Sequence, residues 1–209
     1  MPDDSFWNDP ATVEQFASLA PDQQLVEGIV AQAASTVLDL GAASGRNTEC
    51  PARAGYRVAA IDTAPAMLSR VRARCAGLRP APLAVLASMA ALPLANGSLD
   101  GVVSIGVYQQ AQGDAELLAA MAETRRVLRP GGWLLISVFA VAMLPPGAMR
   151  AAGQRYLHHA DGRTVCRLSI EDLVGVCGAS RLNPDGDILI RPGPLQSQRV
   201  TLVGWFRAG

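Results

Sequence analysis

The chain has 209 residues, half of them hydrophobic, and its 18 basic and 18 acidic residues leave it with no formal net charge. This length and the amount of apolar material predict a single domain over residues 1–209. The lack of net positive charge argues against the broad positive field on which non-specific nucleic-acid binding depends.

The chain has four cysteines, Cys50, Cys75, Cys166 and Cys177. They form no C-x-x-C pair and have no histidine at metal-ligand spacing, so they predict free thiols of a reducing compartment and no metal site. Residues 1–4 are acidic and lack the apolar run of a signal peptide. The longest apolar run, 133–144, is too short for a membrane span of about 20 residues. We expect a cytoplasmic protein with no membrane-spanning segment.

The first 34 residues predict two helices. Thr12 is positioned to cap a short helix that ends before Pro21. A second helix is predicted over residues 22–34, with its apolar side chains on one side.

A buried strand is predicted over residues 36–40, and a turn of small residues follows it. A strand that ends in a glycine turn and feeds a helix lets a ligand approach bare backbone amides. Asp39 places a carboxylate beside this turn, which is unusual for a phosphate site. The dinucleotide fingerprint G-x-G-x-x-G, counted from Gly41, needs glycine where the chain has Ala43 and Arg46. A glycine turn of an unrelated α/β protein stays open as an alternative.

Strands and helices alternate along the rest of the chain. Further strands are predicted over 57–61, 83–87, 99–105 and 133–139, and helices over 64–75 and 115–128, with Asp114 as the cap of the second. Residues 143–166 predict an insertion, before a helix over 169–177 and two strands, 186–191 and 198–206. Pro51 predicts a kink or a late start in the helix after the glycine turn. The alternation predicts an α/β fold with a parallel sheet and helices on both faces.

The turn from Asp39 to Gly45 reads D-x-G-x-A-x-G and resembles the first motif of the class I S-adenosylmethionine-dependent methyltransferases, usually D/E-x-G-x-G-x-G. Stretches at 60–68, 87–100 and 126–132 are similar to further motifs of that family, in the same order. The resemblance implies a Rossmann-like, seven-stranded, mostly parallel sheet of order 3-2-1-4-5-7-6, whose last strand is antiparallel. It also implies S-adenosylmethionine as the cofactor.

The resemblance further implies which residues surround the cofactor. They are Asp39, Gly41, Ala43 and Gly45 for the methionine part, Asp62 for the ribose, and Ser88 and Met89 for the adenine, with Thr63 and Ile105 completing the set. A carboxylate at the end of strand two can accept two hydrogen bonds from a ribose diol, although such an Asp often caps the next helix instead. Ser88 stands where the family usually has Asp, which implies a weaker or water-mediated contact to the adenine.

Acceptor pockets of this family come from the N-terminus and from the segment after strand five. The resemblance therefore implies a helical lid in residues 1–34 and an insertion or lid at 143–166. Phe6 and Trp7 either close over the cofactor or pack in the core. Four arginines crowd the second segment, Arg150, Arg155, Arg163 and Arg167. They either bind an acidic substrate or form a solvated face.

Candidate catalytic residues come from two places. Residues 104–110, after strand four, resemble the tRNA wobble-uridine methyltransferases, except that Gln109 and Gln110 stand where those enzymes tend to have two histidines. Tyr108 beside them either lines the acceptor pocket or packs in the core. His158 and His159 are the two histidines of the chain, and either is a candidate general base near neutral pH.

Taken with the resemblance, the sequence predicts methyl transfer to oxygen or nitrogen of a small-molecule acceptor, by a monomer or homodimer. Two alternatives stay open: a tRNA-modifying methyltransferase, and a non-catalytic S-adenosylmethionine-binding regulatory protein. The zero net charge, and the lack of aromatic residues interleaved with the arginines of helix 64–75, make nucleic acid an unlikely partner.

Overall fold

The computed structural model describes residues 5–141, 155–158, 163–192 and 200–209. The helices are α1 (Ser5–Asn8), α2 (Pro10–Ser18), α3 (Gln23–Val30), α4 (Glu49–Arg53), α5 (Pro65–Arg74), α6 (Asp114–Val127) and α7 (Ile170–Ala179). The strands are β1 (Thr36–Leu40), β2 (Arg57–Asp62), β3 (Leu83–Leu86), β4 (Leu99–Ile105), β5 (Leu128–Phe139), β6 (Tyr156–His158), β7 (Thr164–Cys166), β8 (Leu182–Pro184), β9 (Leu189–Pro192) and β10 (Val200–Ala208). A 3₁₀ turn, Tyr108–Gln110, follows β4.

The main sheet has the order β3-β2-β1-β4-β5-β10-β8, and β9 also pairs with β10. Strands β1 to β5 are parallel, and β10 is antiparallel to β5. This confirms the predicted Rossmann-like sheet with its antiparallel last strand. The predicted strand over 186–191 differs, because two short strands, β8 and β9, take its place. Pro184 has no N–H to donate, and Gly186 turns the chain at φ +100°. The Asp185 N–H still donates to the Trp205 carbonyl at 2.8 Å, and the pairing with β10 then stops until Leu189.

Helices cover both faces of the sheet, as predicted. On one face, Leu117 and Met121 of α6 and Leu173 of α7 pack against alternate residues of β1 and β5, including Leu38 and Ile136. The intervening residues of the same strands point to the opposite face, where α3 and α5 pack. Within the described residues, no helix combines the length and apolar character needed to cross a membrane.

The helix starts correct two local expectations and confirm a third. The carboxylate of Asp9 accepts the Thr12 N–H at 2.8 Å, so Asp9 caps α2 and Thr12 lies inside it. Asp114 is the first residue of α6, and Gly113 precedes it as the cap. Helix α4 begins only at Glu49, so its start is delayed, as its proline predicted.

The amino edge of the sheet is held by Asp100, at the start of β4. Its Oδ2 accepts the backbone N–H groups of Ser35 and Thr36 at 2.6 and 2.8 Å, and both of their hydroxyls at 2.9 and 3.0 Å. Its Oδ1 lies 2.7 Å from Nη1 of Arg129. This buried carboxylate ties β4 to the segment that enters β1.

Part of the predicted insertion at 143–166 is an antiparallel hairpin, β6 paired with β7, which lies outside the main sheet. Arg155 precedes β6 and forms ion pairs with Asp114 of α6, at 2.8 Å, and with Asp172 of α7, at 2.5 Å. The Tyr156 hydroxyl donates to the same oxygen of Asp114 at 2.7 Å. These contacts fix the hairpin on the first turns of α6 and α7.

Candidate active site

The carboxyl edge of the sheet gathers the residues that follow β1, β2 and β4, because these parallel strands are neighbours. The backbone N–H of Ala42 donates to the Ile61 carbonyl at 3.0 Å, and that of Ala43 donates to Oδ2 of Asp62 at 2.8 Å. The turn after β1 is therefore fastened to the end of β2.

Three residues of this turn have left-handed backbone angles: Gly41 at φ +65°, Ala43 at φ +46° and Gly45 at φ +80°. A Cβ on Gly41 would lie 2.3 Å from Cγ2 of Val107, and one on Gly45 would lie 3.1 Å from Cα of Val71. The segment after β4 and helix α5 thus approach a bare backbone. Val107 is a neighbour that the sequence motifs did not indicate.

Ala43 is strained, because an L-residue with a side chain rarely adopts φ +46°. We expect Ala43→Gly to raise the free energy of unfolding by about 0.5–1 kcal/mol, since the relief of strain exceeds the added entropy of the unfolded chain. Urea unfolding measures the change. Ala42→Gly is the matched control, because Ala42 is buried without a left-handed angle, and it should lower stability by about 1 kcal/mol. Equal losses in both variants would contradict the strain.

Asp39 lies near the end of β1 with 2% of its surface exposed. Its Oδ2 accepts the Thr48 hydroxyl at 2.5 Å. Burial raises the pKa of this carboxyl from 3.8 to about 7; the Asp62 carboxylate adds to the rise, whereas Thr48 and Arg46 oppose it. Without a bound cation, Asp39 is therefore partly protonated near neutral pH. A cation that binds beside it would favour the ionised carboxylate.

Asp62, the last residue of β2, presents both carboxylate oxygens at the same edge. Oδ2 accepts the Ala43 N–H at 2.8 Å and Oδ1 accepts the Ala64 N–H at 2.9 Å. An ionised carboxylate has about four acceptor positions. The two backbone bonds orient the group at this edge. Ala64 precedes α5 as its cap and no side chain makes a capping bond there, so Asp62 does not fill the capping role considered from the sequence. Thr63, the next residue, is exposed.

Ser88 and Met89 follow β3. The Ser88 Oγ accepts the Ala90 N–H at 3.2 Å, and Met89 is buried in the main core. The loop beyond them is held by Arg126 of α6, which donates to the carbonyls of Leu92 and Leu94 at 2.8 and 2.7 Å. The motif at 126–132 thus also positions the loop next to Ser88, a role that its sequence alone did not reveal.

Most of the candidate side chains at the end of β4 and after it are buried or half-buried in the protein. Ile105 ends the strand half-buried. Tyr108 is fully buried in the core, with its hydroxyl 2.5 Å from Oγ1 of Thr124. Burial raises the pKa of Tyr108 well above its usual value. Gln109 is also buried, and its Oε1 accepts the Phe139 N–H at 3.1 Å. For Tyr108 the geometry favours the packing alternative.

The N-terminal helices and the β6–β7 hairpin meet above this edge, and we call α1, α2 and the hairpin the roof. Trp7 stacks edge-on against Phe16, at 5.3 Å, and packs in one cluster with Ala43. The guanidinium of Arg163, just before β7, lies 3.9 Å from the centre of the Phe6 ring. Trp7 therefore both packs and borders the glycine turn, whereas Phe6 lies between Trp7 and Arg163.

Helix α2 is anchored to the site's own elements. Ser44 Oγ donates to the Phe16 carbonyl at 2.8 Å, and Arg70 of α5 pairs with Glu14 at 2.7 Å. Arg74 of α5 donates to the carbonyl of Ala17 at 2.7 Å. The roof is thus tied to both the glycine turn and α5.

The remaining candidate residues, the histidines and arginines of the predicted insertion, do not lie together. His158 is exposed on β6, with Nδ1 3.1 Å from Oγ1 of Thr164. Arg155 serves the ion pairs described above, and Arg167 is 7% exposed. His159 and Arg150 lie outside the described residues.

Comparison with known proteins matches residues 38–136 to the family model described as a methyltransferase domain. A demethylmenaquinone methyltransferase of Renibacterium salmoninarum is 30% identical over 189 residues, which make up 87% of this chain and 70% of that protein. A malonyl-(acyl-carrier protein) O-methyltransferase of Halorhodospira halophila is 42% identical over 106 residues, covering 49% of this chain and 34% of that protein. The chain spans less than half the length of most curated relatives that it matches.

Among solved structures, the chain resembles a 1,6-didemethyltoxoflavin-N1-methyltransferase of Burkholderia thailandensis. The TM-score is 0.71, the sequence identity is 23%, and the match covers 98% of this chain and 84% of that chain. At this identity the likeness supports the fold.

Proposed function

Because the chain belongs to the class I S-adenosylmethionine-dependent methyltransferases, we propose that it transfers a methyl group from S-adenosylmethionine to oxygen or nitrogen of a small-molecule acceptor. The names of two relatives support an acceptor other than RNA, since they act on demethylmenaquinone and on malonyl-(acyl-carrier protein).

The residues present at the carboxyl edge fit this cofactor. S-adenosylmethionine has no phosphates and carries positive charge on its sulfur and amino group, so carboxylates beside the turn suit it. Because Gly41 has no Cβ, Val107 packs directly against the backbone of the turn and helps to hold it at this edge. In the proposed arrangement Asp39, Ala43 and Gly45 hold the methionine part, and the Asp62 carboxylate holds the ribose.

Methyl transfer requires the protein mainly to align the acceptor atom with the methyl group of the cofactor. The bound cofactor supplies a methyl group on a positively charged sulfur that is its own leaving group. The chain has to bring the acceptor atom into line and exclude water. A base is needed only where the acceptor must lose a proton, and His158 on the roof is the candidate within the described residues.

The observation that carries the small-molecule assignment is the contact between Arg163 and Phe6 at 3.9 Å. It joins the hairpin to α1, the two parts of the roof, and in the proposed arrangement the acceptor binds beneath this contact. Gln109, which stands where the tRNA wobble-uridine methyltransferases tend to have a histidine, is buried, and its Oε1 accepts the Phe139 N–H. This oxygen is therefore bonded within the protein.

The test is release of S-adenosylhomocysteine with two acceptor pools from the same extract, one of low-mass metabolites and one of purified tRNA. We expect turnover with the low-mass pool. Turnover with tRNA alone, together with binding that weakens steeply as salt rises, would establish the RNA alternative. Tight S-adenosylmethionine binding with no turnover in either pool would favour the regulatory alternative.

Asp62→Asn should weaken S-adenosylmethionine binding by roughly ten- to a hundredfold, because a hydrogen bond to a charged group contributes about 1.5–3 kcal/mol. Titration calorimetry measures the loss. Asp185→Asn is the matched control, since Asp185 is exposed and paired with Arg207 near the far edge of the sheet. An unchanged affinity for Asp62→Asn would remove Asp62 from the site, and preferential binding of NAD would overturn the cofactor itself.

A further inference from the structure

The hydroxyl of Thr48 is turned away from the helix that it precedes. A threonine at this position commonly accepts a backbone N–H from two or three residues later. Here the side chain makes no capping bond, and the residue three positions later is Pro51, which has no N–H. Thr48 instead donates to Oδ2 of Asp39 at 2.5 Å.

Both partners of this bond are buried, Thr48 at 0% and Asp39 at 2% exposure. No other hydrogen bond to the Asp39 carboxylate is made by the described residues. A donor to a carboxylate favours its ionised form and fixes the direction in which its second oxygen points. Thr48 therefore controls both the charge and the orientation of Asp39.

Three titratable groups face Asp39 from neighbouring elements. The Asp62 carboxylate, at the end of β2, opposes its ionisation, and Arg46, from the turn, favours it. Cys75, which follows α5, interacts with the charge of Asp39 and is itself buried. None of these groups supplies the hydrogen bond that Thr48 makes.

We propose that Thr48 is a positioning residue whose hydrogen bond favours the ionised form of Asp39 and directs its carboxylate at the cationic end of the cofactor. Cofactor binding then shifts Asp39 further towards the ionised form, and molecules in which Asp39 is protonated release that proton to solvent. The proposal rests on the proposed function. Pro51 is consistent with this role, because it removes one of the two backbone donors, the one three residues later, to which the Thr48 side chain would bond in a cap.

The experiment is titration calorimetry of the whole chain with S-adenosylmethionine between about pH 5.5 and 8.5, in buffers of different ionisation enthalpy to count released protons. In the wild type, affinity should rise with pH by up to about tenfold per unit and level off as Asp39 loses its proton. In Thr48→Val the midpoint should move up by about one unit, and affinity at pH 7 should fall roughly fivefold. Thr48→Ser, which keeps the hydroxyl, should restore both.

Controls separate this role from a structural one. Asp39→Asn should lose the part of the pH dependence that Asp39 causes. Any change of affinity with pH that this variant still shows reports the titration of the cofactor's own amino group. If Thr48→Val does not fold, Thr48→Cys, with a weaker donor, should show a smaller upward shift. A Thr48 variant that folds and keeps the wild-type midpoint and proton count would overturn the proposal. Absence of S-adenosylmethionine binding by the wild type would instead overturn the proposed function.

Discussion

Gly41→Ala should lower the free energy of unfolding by about 3 kcal/mol and abolish measurable S-adenosylmethionine binding. The left-handed angle of Gly41, φ +65°, costs an alanine about 1–2 kcal/mol. The new Cβ would also lie 2.3 Å from Val107, and such overpacking typically costs about 1–3 kcal/mol. Urea unfolding and calorimetric titration measure the two effects.

Two companion variants divide the loss into its causes. Gly55→Ala introduces the same backbone strain at φ +90° with nothing within 4 Å of the new Cβ, so it should show the conformational part alone. Gly41→Ala combined with Val107→Ala should recover the part caused by the collision. A Gly41→Ala protein as stable as the wild type would show that the turn does not need its bare backbone.

Asp100→Asn should lower the free energy of unfolding at pH 7 by about 2–3 kcal/mol. Although burial opposes ionisation, hydrogen bonds from the Ser35 and Thr36 backbone and hydroxyls lower the pKa of Asp100 from 3.8 to about 2. Each pKa unit between the folded and the unfolded state corresponds to about 1.4 kcal/mol. Because the folded state has the lower pKa, this contribution is present above about pH 4 and is lost as the pH falls towards 2.

Chemical unfolding at pH 7 and at pH 2.5 tests the pH dependence. The difference between wild type and Asp100→Asn should be largest at pH 7 and shrink in acid. Asp185→Asn, which alters an exposed pair with Arg207, should change stability by less than about 1 kcal/mol at either pH. A difference for Asp100→Asn that stayed constant with pH would contradict the assignment of the effect to the carboxylate charge.

Local pattern was sufficient to predict the glycine turn, the parallel sheet with helices on both faces and the late start of α4, whereas the strand order came from the family resemblance. The first three depend on neighbouring residues: the spacing of small residues after Asp39, the alternation of strands and helices, and Pro51 inside a helix. The motif at 126–132 was identified by its resemblance to the family. Its loop-holding role was not, because the Arg126 side chain reaches a segment more than thirty residues earlier in the chain.

Other parts of the site depend on contacts that sequence spacing does not record. Thr48 and Val107 follow the turn in the chain and contact Asp39 and Gly41, respectively. No sequence motif indicates these contacts. The sequence allowed Tyr108 either to line the acceptor pocket or to pack in the core. Its bond to Thr124 of α6, which favours packing, joins residues that are distant in sequence and is seen only in the structure. The split of the predicted strand 186–191 followed from Pro184 and Gly186, whose effect on pairing depends on the register with β10.

The place of β10 in the sheet has a consequence for biosynthesis. This strand lies between β5 and the short strands β8 and β9, although it follows all the other described strands in chain order. Until residues 200–208 emerge, the apolar β5 has an open backbone edge in the nascent chain, and such edges invite pairing with other chains. We expect polypeptides stopped before residue 200 to be captured by chaperones or to aggregate, even though the strands that carry the turn are already complete.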